Sequence, residues 1–221
     1  MCMFFKQVVF WLKRENLIKT MPLCFKEAFD GHVAVIIDGF EITMCRSYSL
    51  GAHIKTWSNY KQCNTAKFLI RIAPQGMIPY ITLGWGRRAT DKFITEECGI
   101  LNLLPGDNFL SDKGFNNFNS VGFDCAKLHL PASARGKKQL NPIEVERTRD
   151  IVVLRIHVEQ VIGLLKNKYI ILKEKLPIEM CFTADKDITL SDKTVHVCAA
   201  LANLMLSIVL SMSIIILFYI L

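Results

Sequence analysis

The chain has 221 residues, enough for one substantial hydrophobic core, and its 51% apolar and 21% charged composition excludes an intrinsically disordered protein. The net charge of +7 favours a polyanion or an anionic membrane surface as partner, and charge alone does not choose between them. Eight scattered cysteines form no C-x-x-C pair, which argues against a zinc site or a disulfide framework and fits reduced thiols in an intracellular protein.

Met1 to Leu12 is apolar around one lysine, but charged Lys13 to Glu15 follow without a small-residue cleavage site, so it is not a secretory signal. His32 to Ile37 predicts a buried strand closed by Asp38-Gly39, which puts an aspartate at its carboxyl end; Phe40 to Met44 continues it past the glycine. Arg46 to Lys61 reads as a polar loop. Phe68 to Ala73 and Met77 to Leu83 flank Pro74-Gln75-Gly76, a sequence suited to a hairpin turn. Thr90 caps a helix from about Asp91 to Cys98, with Gly99 as its stop. Asn108 to Ser111 is a short strand ended by Asp112-Lys113-Gly114. A polar helical stretch to about Cys125, a strand over Lys127 to Leu130 and a basic loop over Arg135 to Lys138 follow.

The strongest helix signal starts at Asn141, where asparagine caps, Pro142 fills the first position and Glu144 stands at the capping-box position. The helix is predicted to reach about Lys166. Val152, Ile156, Glu159, Ile162 and Gly163 share one face at helical spacing, which sets Glu159 within an apolar stripe, where a carboxylate needs partners. Arg155, one turn earlier, is one such partner. His157 lies on another face and reads as packing or surface, as does His129. Val197 to Leu221 carries no charge and is long enough to cross a bilayer. It reads as a tail anchor or as a buried helix with an apolar extension.

This order of elements resembles the ribonuclease H-like arrangement, an α/β fold with a mixed sheet flanked by helices. There the first and fourth strands are neighbours and the last helix packs across them, so Asp38, Asp112 and Glu159 are expected to converge. Three close carboxylates repel one another unless cations lie between them, and hard oxygen ligands select Mg2+ or Mn2+.

Six stretches carry a closer resemblance: Ile37-Asp38-Gly39-Phe40-Glu41-Ile42; Trp57 to Lys61 with Asn64-Thr65; Gly86 to Asp91; Pro105-Gly106-Asp107; Asp112-Lys113-Gly114-Phe115; and Arg155-Ile156-His157-Val158-Glu159. In this order and spacing they are similar to the DDE endonuclease of PIF/Harbinger-type transposases, over roughly Met21 to Leu206. The resemblance implies that Asp38 and Asp112 ligate divalent metal, that Glu159 completes the triad, and that Asp91 supports the site as a further metal-side aspartate. It implies hydrolysis of DNA phosphodiester bonds in the nucleus. Lys61, Lys67, Arg71, Arg87, Arg88, Lys113, Lys137 and Lys138 are candidate phosphate contacts.

The chain departs from the family at Arg87 and Arg71, where glycine is usual, and at Gln160, where arginine usually follows the triad glutamate. A residue other than glycine at 87 stiffens the loop near Asp91. The expected division is an N-terminal extension over residues 1–20, the endonuclease domain over 21–196 and the apolar tail over 197–221. The extension is too short for a helix-turn-helix, so a separate DNA-binding partner protein is expected, and the chain reads as a fragment, a relic copy or a domesticated nuclease. Two alternatives stay open: a catalytically weak or inactive transposase-derived protein that binds DNA or a partner, and a tail-anchored membrane protein.

Overall fold

A computed structural model describes residues 9, 14–32, 34–98, 107–112, 115, 127–132, 139, 141–182 and 188–205. Two short helices, α1 (Arg14–Thr20) and α2 (Leu23–Ala28), precede strand β1 (Ala34–Met44). Helix α3 (Leu50–Thr56) and strands β2 (Trp57–Ser58), β3 (Cys63–Ile72), β4 (Tyr80–Ile81) and β5 (Trp85–Gly86) follow. Then come α4 (Asp91–Glu97), β6 (Asn108–Leu110), β7 (Lys127–His129), α5 (Pro142–Lys168), α6 (Ile178–Cys181) and α7 (Leu190–Asn203).

Strand β1 is the hub of the sheet. It runs antiparallel to β3 from Ile36↔Ile72 to Met44↔Asn64 and parallel to β6 from Ala34↔Asn108 to Ile36↔Leu110. The order is β2-β3-β1-β6-β7, with β4 and β5 also paired to β3 and β6 parallel to β7. This curled mixed sheet flanked by helices is the α/β architecture expected for a ribonuclease H-like domain. The strand continues past Gly39 as expected, and what changes is the place of Asp38, which is not at its carboxyl end. Pairing with Ile70 and Leu69 carries β1 through to Met44, so Asp38 stands mid-strand.

Alternation along β1 sends its side chains to two different layers. Ile36, Phe40 and Ile42 join Phe68, Ile70 and Leu110 under Leu154, Val158, Val161 and Leu165 of α5 and Val195, Cys198, Ala199 and Ala202 of α7. Ile37 joins Leu69, Phe109 and Phe115 against Ile94 of α4. By parity, Asp38 faces the α5 layer, whereas Gly39 and Glu41 face the α4 layer.

The local signals fold as their chemistry dictates. The Asn141 side chain accepts from the Ile143 amide while Glu144 accepts from the Asn141 amide, closing the expected capping box. Thr90 accepts from the Phe93 amide to start α4. Gly76, at φ +85°, donates to Ala73 O in the turn after β3. The supposed polar loop contains α3, because Asn64 on β3 donates to Thr56 Oγ1 at 2.6 Å and to His53 O at 3.3 Å and so anchors the helix.

Helix α5 turns a different face inward from the one its periodicity suggested. Leu154, His157, Val158, Val161 and Leu165 are buried, whereas Val152 is 44% exposed and Glu159 is exposed. Val152, Val153, Ile156 and Ile162 make the helix apolar on more than one side, so packing chooses the face. His157 is fixed against Phe25, ring centroids 5.3 Å apart.

At the amino end, Leu17 of α1 packs with Val35 and Ala73, and Gln75 Nε2 donates to Leu17 O and Thr20 Oγ1. At the other end, Val197 to Asn203 belongs to α7, whose Cys198, Ala199 and Ala202 lie in the core. No helix among the described residues is long and apolar enough to cross a membrane. Residues 206–221, the polar stretch after Phe115 and the loop over residues 135–138 lie outside the described residues.

Candidate active site

The parallel pairing of β6 brings Asp112 beside Asp38. Leu110 is registered with Ile36, so Asp112, two residues further on, is level with Asp38 at the mouth between the strands. The Asp38 side chain is 20% exposed and that of Asp112 54%. Helix α5 crosses this mouth and inserts Arg155, whose guanidinium approaches both: Nη2 lies 3.8 Å from Asp38 Oδ2 and Nη1 lies 3.4 Å from Asp112 Oδ1. Its Nε is buried and makes no hydrogen bond. Arg155, one turn before Glu159 and expected to pair with it, is turned to the two aspartates instead.

The electrostatics at Asp38 follow from this crowding. Burial pushes its carboxyl up to about 6. The Gly39 amide, which donates to Asp38 Oδ1 at 2.8 Å, and the Arg155 charge oppose that rise, while Asp112 and Glu159 reinforce it. Glu159 thus contributes charge at Asp38, but from an exposed position, on a face of α5 that is not the buried one. Among the described residues no three His, Cys, Asp or Glu side chains lie close enough together to hold a metal ion. Asp38 and Asp112 thus meet at one guanidinium, and Glu159 stands one helical turn beyond Arg155.

Asp38 and Asp112 fit a hard divalent cation. Both offer carboxylate oxygens, the donor type that hard divalent cations select, and both approach the same positive group.

Asp91 is elsewhere. It sits on α4 under the opposite face of the sheet, where a Cβ added to Gly39 would meet its Oδ1 at 3.3 Å. There it pairs with Lys67 Nζ at 2.7 Å. Asp91 does not join Asp38, and Lys67, 7% exposed, is turned inward, away from any phosphate. On the same face Arg87 Nε lies 2.6 Å from Glu41 Oε1. Arg71 is buried, which lowers its pKa to about 10 against the supporting charge of Asp107. These two arginines, standing where glycine was expected, are built into the α4 layer.

The remaining basic candidates divide. Lys61 donates to Glu41 O at 3.4 Å, and Lys166, which sequence reasoning missed, donates to the same oxygen at 3.1 Å while lying over the Phe40 ring. Burial and the neighbouring Lys61 lower the pKa of Lys166. Arg88 is exposed, and Lys113, Lys137 and Lys138 lie outside the described residues. Only the tertiary pairing of β1 with α5 reveals Lys166; its place near the end of a helix is otherwise that of an ordinary solvated lysine.

A family model described as DDE superfamily endonuclease matches residues 37–203. No curated protein and no solved structure matches the chain.

Proposed function

The chain belongs to the DDE superfamily endonucleases, and on that premise we propose that it is a divalent-metal-dependent DNA endonuclease domain of transposase origin, of the PIF/Harbinger type, acting in the nucleus. The observation that carries this reading is the pair Asp38 and Asp112, drawn from different strands and directed at one cation. Asp38 and Asp112 are the principal metal ligands, and Glu159 is the third carboxylate of the triad. The subfamily rests on the six motif stretches.

When bound, Mg2+ or Mn2+ supplies Lewis-acid stabilisation of phosphodiester oxygens and lowers the pKa of the attacking water. The protein's own contribution is placement. The Gly39 amide holds one oxygen of Asp38, leaving the other for a cation. Asp112 is held level with it by the parallel strand pair, and Glu159 adds negative charge that favours a doubly charged ion over a singly charged one. Lys61, Lys166 and Arg88 supply positive charge for the DNA backbone.

Incubation of the purified chain with supercoiled plasmid and Mg2+ or Mn2+ tests the proposal. Nicking that stops on chelation and in Asp112→Asn is expected. No nicking, or nicking unchanged by Asp112→Asn, overturns it.

A further inference from the structure

We infer that Arg155 is a built-in counter-cation that occupies the place of the divalent metal and competes with it for Asp38 and Asp112. The inference rests on the metal-dependent reading above and adds a residue outside the carboxylate triad.

Three observations carry it. The first is the shared contact: among the described residues Lys67 pairs with Asp91 and Arg87 with Glu41, whereas Arg155 spreads its two terminal nitrogens over both Asp38 and Asp112. The second is that the contacts are long, at 3.4 and 3.8 Å, and that Nε stays without a hydrogen bond, so the guanidinium is poorly held for a group whose side chain is only 13% exposed. The third is the mounting. Leu154 and Val158, buried on either side of it in sequence, fix the backbone of α5, leaving the long side chain as the part able to move.

A metal ion bound to the same oxygens would face the guanidinium at short range, where like charges repel strongly. Metal binding therefore requires Arg155 to swing out of the mouth. In the metal-free protein the same guanidinium screens the two carboxylates from each other.

The competition is read directly by Mn2+ binding to the full chain, measured by calorimetry and by the paramagnetic resonance of free Mn2+. Arg155→Gln is expected to bind Mn2+ about tenfold more tightly than the unaltered chain, the ratio for losing one charge-assisted contact. Arg155→Lys is expected to gain less, because an ammonium keeps the charge but lacks the fork that spans both aspartates. Arg147→Gln, which removes the same charge at an exposed position on α5, leaves the affinity unchanged and separates local competition from net charge.

Unchanged or weaker binding by folded Arg155→Gln overturns the inference, and so does an equal gain in Arg147→Gln. If Arg155→Gln does not fold, Arg155→Lys decides: a gain supports competition and no gain overturns it. Absence of Mn2+ binding in both the unaltered chain and Arg155→Gln overturns the metal-dependent reading itself. Binding without the Arg155 effect overturns the competition alone.

Discussion

The two faces of β1 carry similar charged residues in different proportions. Toward α4, among the described residues, three carboxylates meet separate cations: Asp91 has Lys67, Glu41 has Arg87, and Asp107 lies within the field of Arg71. Toward α5, Asp38 and Asp112 share Arg155, and Glu159 adds a further negative charge. The difference separates one-to-one ion pairs that hold layers together from two carboxylates that meet at one guanidinium. It also explains how Asp91, though part of the motif pattern, stands apart from the site: strand parity puts Gly39, its neighbour, on the opposite face from Asp38.

The contrast is broken most readily at Asp91. Asp91→Asn leaves the buried Lys67 ammonium without its carboxylate and is expected to cost about 2 kcal/mol of stability, measured by denaturant unfolding without metal. Stability unchanged in this variant, together with lost nicking, would move Asp91 into the site.

A smaller effect, of opposite sign, is expected at Asp38. Its folded pKa of about 6 lies above the ordinary carboxylate value, so the folded state holds the proton more tightly than the unfolded chain. The contribution of Asp38 to metal-free stability is then fully present below about pH 4 and is lost as pH rises through about 6; Asp38→Asn should exceed the unaltered chain by roughly 1–2 kcal/mol at pH 7, with the advantage gone in acid. Equal pH profiles for the two proteins would show that Asp38 is not strained by burial.

His157, on the buried face of the same helix, has the opposite slope. Burial lowers its pKa, so the folded state disfavours the imidazolium and stability is lost as pH falls below about 6.5, where the unfolded chain takes up the proton. His157→Phe, packed against Phe25, should flatten that acid limb in urea titrations at stepped pH.

The smallest effect belongs to Arg87→Gly. The arginine side chain of that pair is 38% exposed, so its loss should cost under about 1 kcal/mol in thermal unfolding and leave nicking intact. A tenfold loss of nicking would place Arg87 among the DNA contacts instead.

What could be read from the sequence was mostly what is local. The Asn141-Pro142-Ile143-Glu144 cap and the Thr90 cap are each settled within one turn, and both formed. The β-branched run before Asp38 marked the central strand, and the mixed order of elements marked the fold. The buried face of α5 was less legible, because apolar residues lie on several sides of that helix and only the sheet and Phe25 select Leu154, His157 and Val158. Helix α3 was hidden because side chains from β3 anchor it. Within the site, the partnership of Asp38 with Asp112 followed from strand order, but Arg155 between them and Lys67 under Asp91 depend on contacts between layers, for which linear spacing carries no signal.

The most direct measurement replaces one shared ligand by a softer one. Asp112→Cys should lose plasmid nicking in Mg2+, a hard ion that binds thiolate poorly, and regain part of it in Mn2+, which accepts sulfur more readily. Nicking by Asp112→Cys in Mg2+ at the rate of the unaltered chain would contradict a metal-ligating role for Asp112.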